Sequence, residues 1–271
     1  AEVQNSTAVF QLNFSNKTSF CASITRPNAK PRNVVRYINR KTAERKNMKN
    51  TLFELYSKKA NEFEDVKTQV KSGKTYGPFL MSPNSEYSKQ NNKLLIIGQE
   101  TKGWENYKDI TKQMAVYEGF NLGINYYSSP FWNVMRKVER ALKNKEYSSA
   151  WTNISKFDVD RKRPTGENEK IISKLDNLLI EELEITKPKI CIFFTSHTFD
   201  HRIKKIFSEI EFVSVPGFEK KVLCKLKHKD LPNETYRTYH PRYLRTGKME
   251  NKFIEFIKTI YNYIAQQKFG K

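Results

Sequence analysis

Cysteine is scarce in this sequence, and the three present do not suggest pairing: Cys21, Cys191 and Cys224 are odd in number, unrelated in spacing, and Cys191 stands inside an apolar, strand-like run. That pattern argues against a disulfide framework and for a reducing, cytoplasmic setting. Long apolar stretches are missing too. Nothing approaches the roughly 18 consecutive apolar residues of a spanning helix, no basic amphipathic anchor stands out, and the opening residues lack the apolar core of a signal peptide. A membrane partner is therefore not expected. The five Asn-x-Ser/Thr sequons, at Asn5, Asn13, Asn16, Asn153 and Asn233, are the number that so Asn-rich a chain generates by chance. A Gly-rich phosphate loop of the Walker type is absent. Only four histidines occur; His197 and His201 lie four apart with Asp200 beside them, but no third ligand follows at a standard spacing. Neither a metal nor an organic cofactor is expected. Ser196 reads instead as the cap of a helix start, and His197, just past a strand, as a residue that can line a pocket.

Acidic residues are outnumbered. Against 29 Asp and Glu stand 49 Lys and Arg, a formal charge of +20. A folded chain carrying that charge repels itself unless an anionic partner relieves it, and nucleic acid is the commonest such partner. The 14 Tyr and 18 Phe are interleaved with the cations, a mixture suited to base stacking beside phosphate contacts. With 38% hydrophobic residues in 271 positions, the chain has enough apolar surface to bury a sizeable core.

Residues 1 to about 30 are polar and without a period. From Arg32 to Lys71 the composition turns helical, and Lys30 to Lys49 carries eight Lys/Arg against only Glu44, either a solvated helix face or a nucleic-acid contact. A loop rich in Gly, Pro, Ser and Asn runs from Ser72 to Asn92. Residues 1–92 are thus expected to form an arm and helical extension packed on a core domain of residues 93–271. Within that domain Leu94–Ile97 and Ile190–Phe194 are continuous apolar runs, as strands buried on both faces of a parallel sheet are. Further strands are expected at Ala150–Phe157, Phe212–Val215, Lys221–Lys225 and Thr235–Tyr239. Apolar residues repeat at three and four from Phe131 to Leu142, from Ile171 to Leu183 and from Phe253 to Ile264, marking helices. Strand and helix in alternation predict a three-layer α/β/α domain around a mostly parallel sheet. Functional residues then belong at the carboxyl edge of the strands.

Two loops at that edge carry chemistry-bearing residues. Gly98-Gln99-Glu100 follows the first strand, where a Gly permits close backbone approach and the carboxylate is held near any ligand. Far downstream, Tyr239-His240-Pro241-Arg242-Tyr243-Leu244-Arg245 places an imidazole before a stiffening Pro, with two guanidinium groups behind it suited to phosphate.

These loops resemble the uracil-DNA glycosylase superfamily, whose first motif is Gly-Gln-Asp-Pro-Tyr-His and whose second is His-Pro-Ser-Pro-Leu. Gly98-Gln99-Glu100 is similar to the first and His240-Pro241-Arg242-Tyr243-Leu244 to the second. Ser129-Pro130-Phe131-Trp132-Asn133 resembles the family's Pro-Pro-Ser-Leu-x-Asn segment, and Asn153 sits like its Asn at the end of the second strand. The similarity spans roughly residues 93 to 260 and rests on short motifs in order. It implies a DNA glycosylase that hydrolyses the N-glycosidic bond of uracil or a related damaged base, acting as a monomer on single- or double-stranded DNA. By the same resemblance Glu100 and His240 are catalytic, Asn153 reads the extruded base, and Ser129, Pro130, Arg242 and Arg245 contact the DNA backbone. A ring must stack on that base, and Phe120, Tyr126 and Tyr127 are all candidates. The chain departs from the pattern in having Glu for Asp, Thr101-Lys102 for Pro-Tyr, and Arg242 for Ser. The alternative is a nucleic-acid-binding protein on the same fold without catalysis.

Overall fold

The computed structural model describes residues 48–126 and 128–269; the polar arm, nearly all of the cationic segment 30–49, and Tyr127 lie outside the described residues. Six strands form the central sheet. In chain order they are β2 (Leu94–Gly98), β3 (Ala150–Asn153), β5 (Ile190–Phe193), β6 (Glu211–Ser214), β7 (Leu223–Lys227) and β8 (Glu234–Thr238). A separate two-stranded ladder pairs β1 (Thr75–Tyr76) with β4 (Asp158–Val159). The central order is β3-β2-β5-β8-β7-β6. The first four strands are parallel, and β7 and β6 extend the sheet antiparallel. The expected mostly parallel sheet is therefore present, with an antiparallel edge. β2, β3 and β5 are buried at every position, which is why β2 and β5 read as unbroken apolar runs.

Helices cover both faces. On one, α5 (Pro130–Ala141), α9 (Pro241–Thr246) and α10 (Glu250–Phe269) pack together, Trp132 meeting Trp151 and Phe253 meeting Phe194. On the other lie α7 (Leu178–Thr186) and α8 (Asp200–Ile206), through Glu182 bonded to Thr152 and Phe207 against Phe193. The described part of the N-terminal extension shares this core. It comprises a helix over 48–58, α1, then α2 (Ala60–Gln69) and, after the β1 loop, α3 (Ser85–Lys89). The Tyr56 hydroxyl donates to Glu182, and the Tyr87 hydroxyl to the Thr186 carbonyl.

Two expected elements differ in detail, and one helix was not expected. The strand over Ala150–Phe157 stops at Asn153, because the chain turns inward there to place the Lys156 ammonium on both Glu182 oxygens, at 2.8 and 2.7 Å, with neither side chain exposed. The periodic stretch 171–183 is broken between α6 (Gly166–Ile172) and α7 by a 3-10 turn, Ser173–Leu175. That break turns Asp176 inward to the buried guanidinium of Arg202. Helix α4 (Ile110–Phe120) is one the periodicity did not signal.

Because β3, β2, β5 and β8 run the same way in register, Asn153, Gly98, Phe193 and Thr238 end on one edge of the sheet. The loops that follow carry Gln99–Trp104, Ile154–Lys156, Thr195–His197 and Tyr239–His240 to a common side.

Candidate active site

At that edge opens a cleft of about 1240 Å³. Its floor begins with the β2–β3 pair, where Gly98 lies opposite Asn153. A Cβ on Gly98 would stand 2.2 Å from Asn153 Oδ1, so only glycine leaves room for the amide. Asn153 is 1% exposed. Its Oδ1 accepts from the Trp151 indole N–H at 3.1 Å, and an indole N–H can only donate, which fixes the orientation of the amide. Nδ2 is then left without a partner among the described residues. The result is a buried, oriented amide that lines the cleft with a free donor and further acceptor capacity on its oxygen. Gly98→Ala is expected to displace that amide and to cost about 1–3 kcal/mol, the usual cost of overpacking. Gly119→Ala is the control: in α4, with open space around the glycine, it should stabilise by about 0.5–1 kcal/mol. Urea unfolding of both variants checks the pair.

Beyond Gly98, Gln99 bridges to the end of β5, its Nε2 donating to the Thr195 carbonyl at 2.7 Å, while its Oε1 accepts from Arg163 Nη2 at 2.6 Å. Glu100 follows, with its side chain 11% exposed and its Oε2 3.6 Å from Arg163 Nε, too long for a hydrogen bond. Burial pushes the Glu100 carboxyl above the usual glutamate range. Arg163 and Lys102 pull it back, and the nearby Asp158 carboxylate pushes it further up. Asp158 also ties down the next turn, accepting from the Thr101 hydroxyl at 2.9 Å and the Gly103 N–H at 2.7 Å.

From the other side comes His240, the N-cap of α9. Its Nδ1 accepts the backbone N–H of Arg242 at 3.2 Å. An acceptor at Nδ1 requires the neutral ring to carry its proton on Nε2. Burial, with Lys102, Arg163 and Arg242 nearby, brings this imidazole down to about 4, so at neutral pH it is an uncharged donor. Phe131 packs beside it, ring centroids 5.6 Å apart. Lys102 and Arg163 act on both Glu100 and His240, as expected of two groups facing one space.

Aromatic rings wall the remainder. Phe120 touches Trp104, Trp132 and Trp151 at 5.3–5.6 Å between centroids, and Tyr126 lies over it at 5.3 Å.

Of the residues singled out in the sequence, Glu100, His240, Asn153, Phe120, Tyr126, Ser129 and Arg242 all line this cleft, and so does His197. Pro130 stands next to Ser129 at the first turn of α5. Arg245 is not brought to the cleft: its guanidinium is held by Glu250 at 2.8 Å and by Asn133 at 2.9 Å, joining α9 to α10 and α5. These bonds occupy Nε and Nη2 and leave Nη1 as the donor open to a phosphate outside the cleft. Ser196 occupies the N-cap of a 3-10 turn, His197–Phe199, but its side chain makes no cap bond; its backbone takes φ 64, ψ 163, a conformation that strains a residue with a Cβ. His201 turns to Glu169, 3.3 Å away, and no group of three metal-ligating side chains occurs among the described residues. Arg163 and Phe131 also line the cleft; in the sequence the first is one cation of the short basic run 161–163 and the second fits the core spacing of α5, so neither is marked there as a cleft residue. The class defined by fold and site is thus an α/β protein with a cationic, aromatic-walled cleft at the carboxyl edge of its parallel strands. No protein-family model matches the chain, and no curated protein matches it either.

Proposed function

We propose that the chain is a DNA glycosylase of the uracil type that releases a base extruded into this cleft. One observation carries the reading: two loops 140 positions apart, one bearing Glu100 and one His240, open onto the same cleft, which the oriented amide of Asn153 also lines. In this reading Asn153 Nδ2 donates to O4 of uracil and Oδ1 accepts from N3–H, a pairing cytosine cannot offer. Phe120 and Phe131 supply apolar wall for the base. As the C1′–N1 bond breaks, its electron pair passes to the base, and negative charge gathers on O2, where the His240 Nε2–H donates. The sugar becomes oxocarbenium-like. Glu100, ionised, stabilises it and orients a water whose oxygen bonds to C1′ and whose proton the carboxylate takes up. Lys102, Arg163 and Arg242 face the phosphates beside the extruded nucleotide. The chain acts as a monomer, with DNA as its partner.

The test is to incubate the protein with an oligonucleotide bearing one uracil and then heat in alkali. Cleavage at the uracil position, requiring alkali, is the expected result. Tight, salt-sensitive binding without abasic sites would mark a DNA-binding protein without catalysis. Strand breaks without alkali, abolished by a chelator, would mark a nuclease.

A further inference from the structure

Large apolar side chains exposed to solvent are few among the described residues, and two of them line the cleft. Tyr126 is 55% exposed and Tyr243 is 66% exposed. They reach the cleft from separate elements, Tyr126 from the turn before α5 and Tyr243 from α9. Each is supported by another ring. Tyr126 lies on Phe120 with an interplanar angle of 33°; Tyr243 meets Tyr239 at 6.4 Å, which in turn meets His197 at 5.9 Å. A ring propped from one side and open to solvent has little rotamer freedom left to lose when a second flat surface settles on it. The leucine next to Tyr243 behaves oppositely: Leu244 is fully buried, so α9 presents Arg242 and Tyr243 outward and keeps its aliphatic side chain in the core. Cations alternate with the rings, since Lys102, Arg163 and Arg242 line the same cleft.

Propped aromatic rings among cations form a stacking platform with a track for a phosphate backbone. The occupant that fits is one whose bases show their faces. In a duplex those faces are covered by neighbouring pairs, whereas in a single strand they are free. We infer that the rim of the cleft binds single-stranded DNA, with Tyr126 and Tyr243 stacking on unpaired bases that flank the nucleotide in the cleft. The inference rests on the proposed reading for the choice of DNA over RNA and for what happens to that central nucleotide.

Fluorescence anisotropy with the full chain and a labelled, uracil-free oligonucleotide, as single strand, as duplex and as RNA of the same sequence, tests it without involving base release. The single DNA strand should bind at least about tenfold more tightly than the duplex. Tyr126→Ala and Tyr243→Ala should each weaken single-strand binding about tenfold, the range found for base–aromatic stacking. Tyr126→Phe and Tyr243→Phe, which keep the ring, should stay within about twofold of the parent. Because the rings carry no charge, the slope of log affinity against log salt should be unchanged in the Ala variants, whereas Arg242→Ala should reduce it by about one. Ala variants that bind as the parent does, an equal loss on duplex and single strand, tighter binding of duplex, or tighter binding of RNA would each overturn the inference. Tyr-dependent binding with no uracil release would leave this platform standing and reject the glycosylase reading; uracil release with no Tyr dependence would do the reverse.

Discussion

Glu100→Gln is expected to slow uracil release about 1000-fold, in the middle of the range for a positioned acid–base group, and at the same time to raise the melting temperature at pH 7. The two effects have one cause. Glu100 is nearly buried, and its carboxyl is pushed upward chiefly by burial, against the pull of Arg163. A group whose folded value lies above its unfolded one contributes stability that is fully present below the unfolded value, near 4.5, and is lost as pH rises through the folded one. At pH 7 the folded protein therefore carries an ionised carboxylate at a cost, and the neutral amide of Gln removes that cost along with the charge the reaction needs. The stabilisation should shrink as pH is lowered into the acid range. Thermal melts at pH 7 and pH 4.5, beside single-turnover base release, check both parts. A variant that melts lower at pH 7 would mean that the Arg163 pair outweighs desolvation.

His240→Ala is expected to cost about 100- to 1000-fold in the rate of base release, as loss of a donor to a developing oxyanion does. The pH profile is as informative as the rate. With its imidazole held down to about 4, His240 stays neutral throughout the range in which Glu100 is ionised, so no limb should appear near the ordinary histidine value of 6.5. The acid limb belongs to Glu100 and should lie above the usual glutamate range. Arg163→Gln, which removes the cation that lowers Glu100, should move that limb to higher pH. For stability the sign at His240 follows from its lowered value: its contribution is present above about 6.5 and is lost as pH falls towards 4, because the unfolded chain takes the proton first. His240→Ala should therefore lose less stability across that interval than the parent. A limb near 6.5 in the rate profile that vanishes in His240→Ala would show that the ring titrates in the open and not among three cations.

How much of this was legible in the sequence depended on how local the signal was. Leu94–Ile97 and Ile190–Phe194 announced themselves because a strand buried on both faces has no polar position to interrupt the run. The two chemical loops were legible because their residues are contiguous and strands of a parallel sheet deliver their following loops to one edge. What could not be read was whatever depends on a distant partner. Arg163 acquires its importance only by reaching Gln99, 64 positions away. That Arg245 ties α9 to α5 could not be read because its partner Asn133 lies 112 positions earlier. The end of β3 was misjudged because Lys156, an exposed residue by any compositional rule, is drawn inside by Glu182. A buried ion pair of this kind leaves no periodic trace. Phe131 fits the core spacing of α5 and is at the same time a wall of the cleft; one side chain serving both purposes carries only the commoner signal.

The free base itself is the most direct measurement. In a single-turnover incubation of the full chain with an oligonucleotide carrying one isotopically labelled uracil, free labelled uracil should appear in step with abasic sites, one for one, and the strand should remain whole until alkali is added. An oligonucleotide that stays bound with its uracil still attached would contradict the account, whatever the cleft looks like.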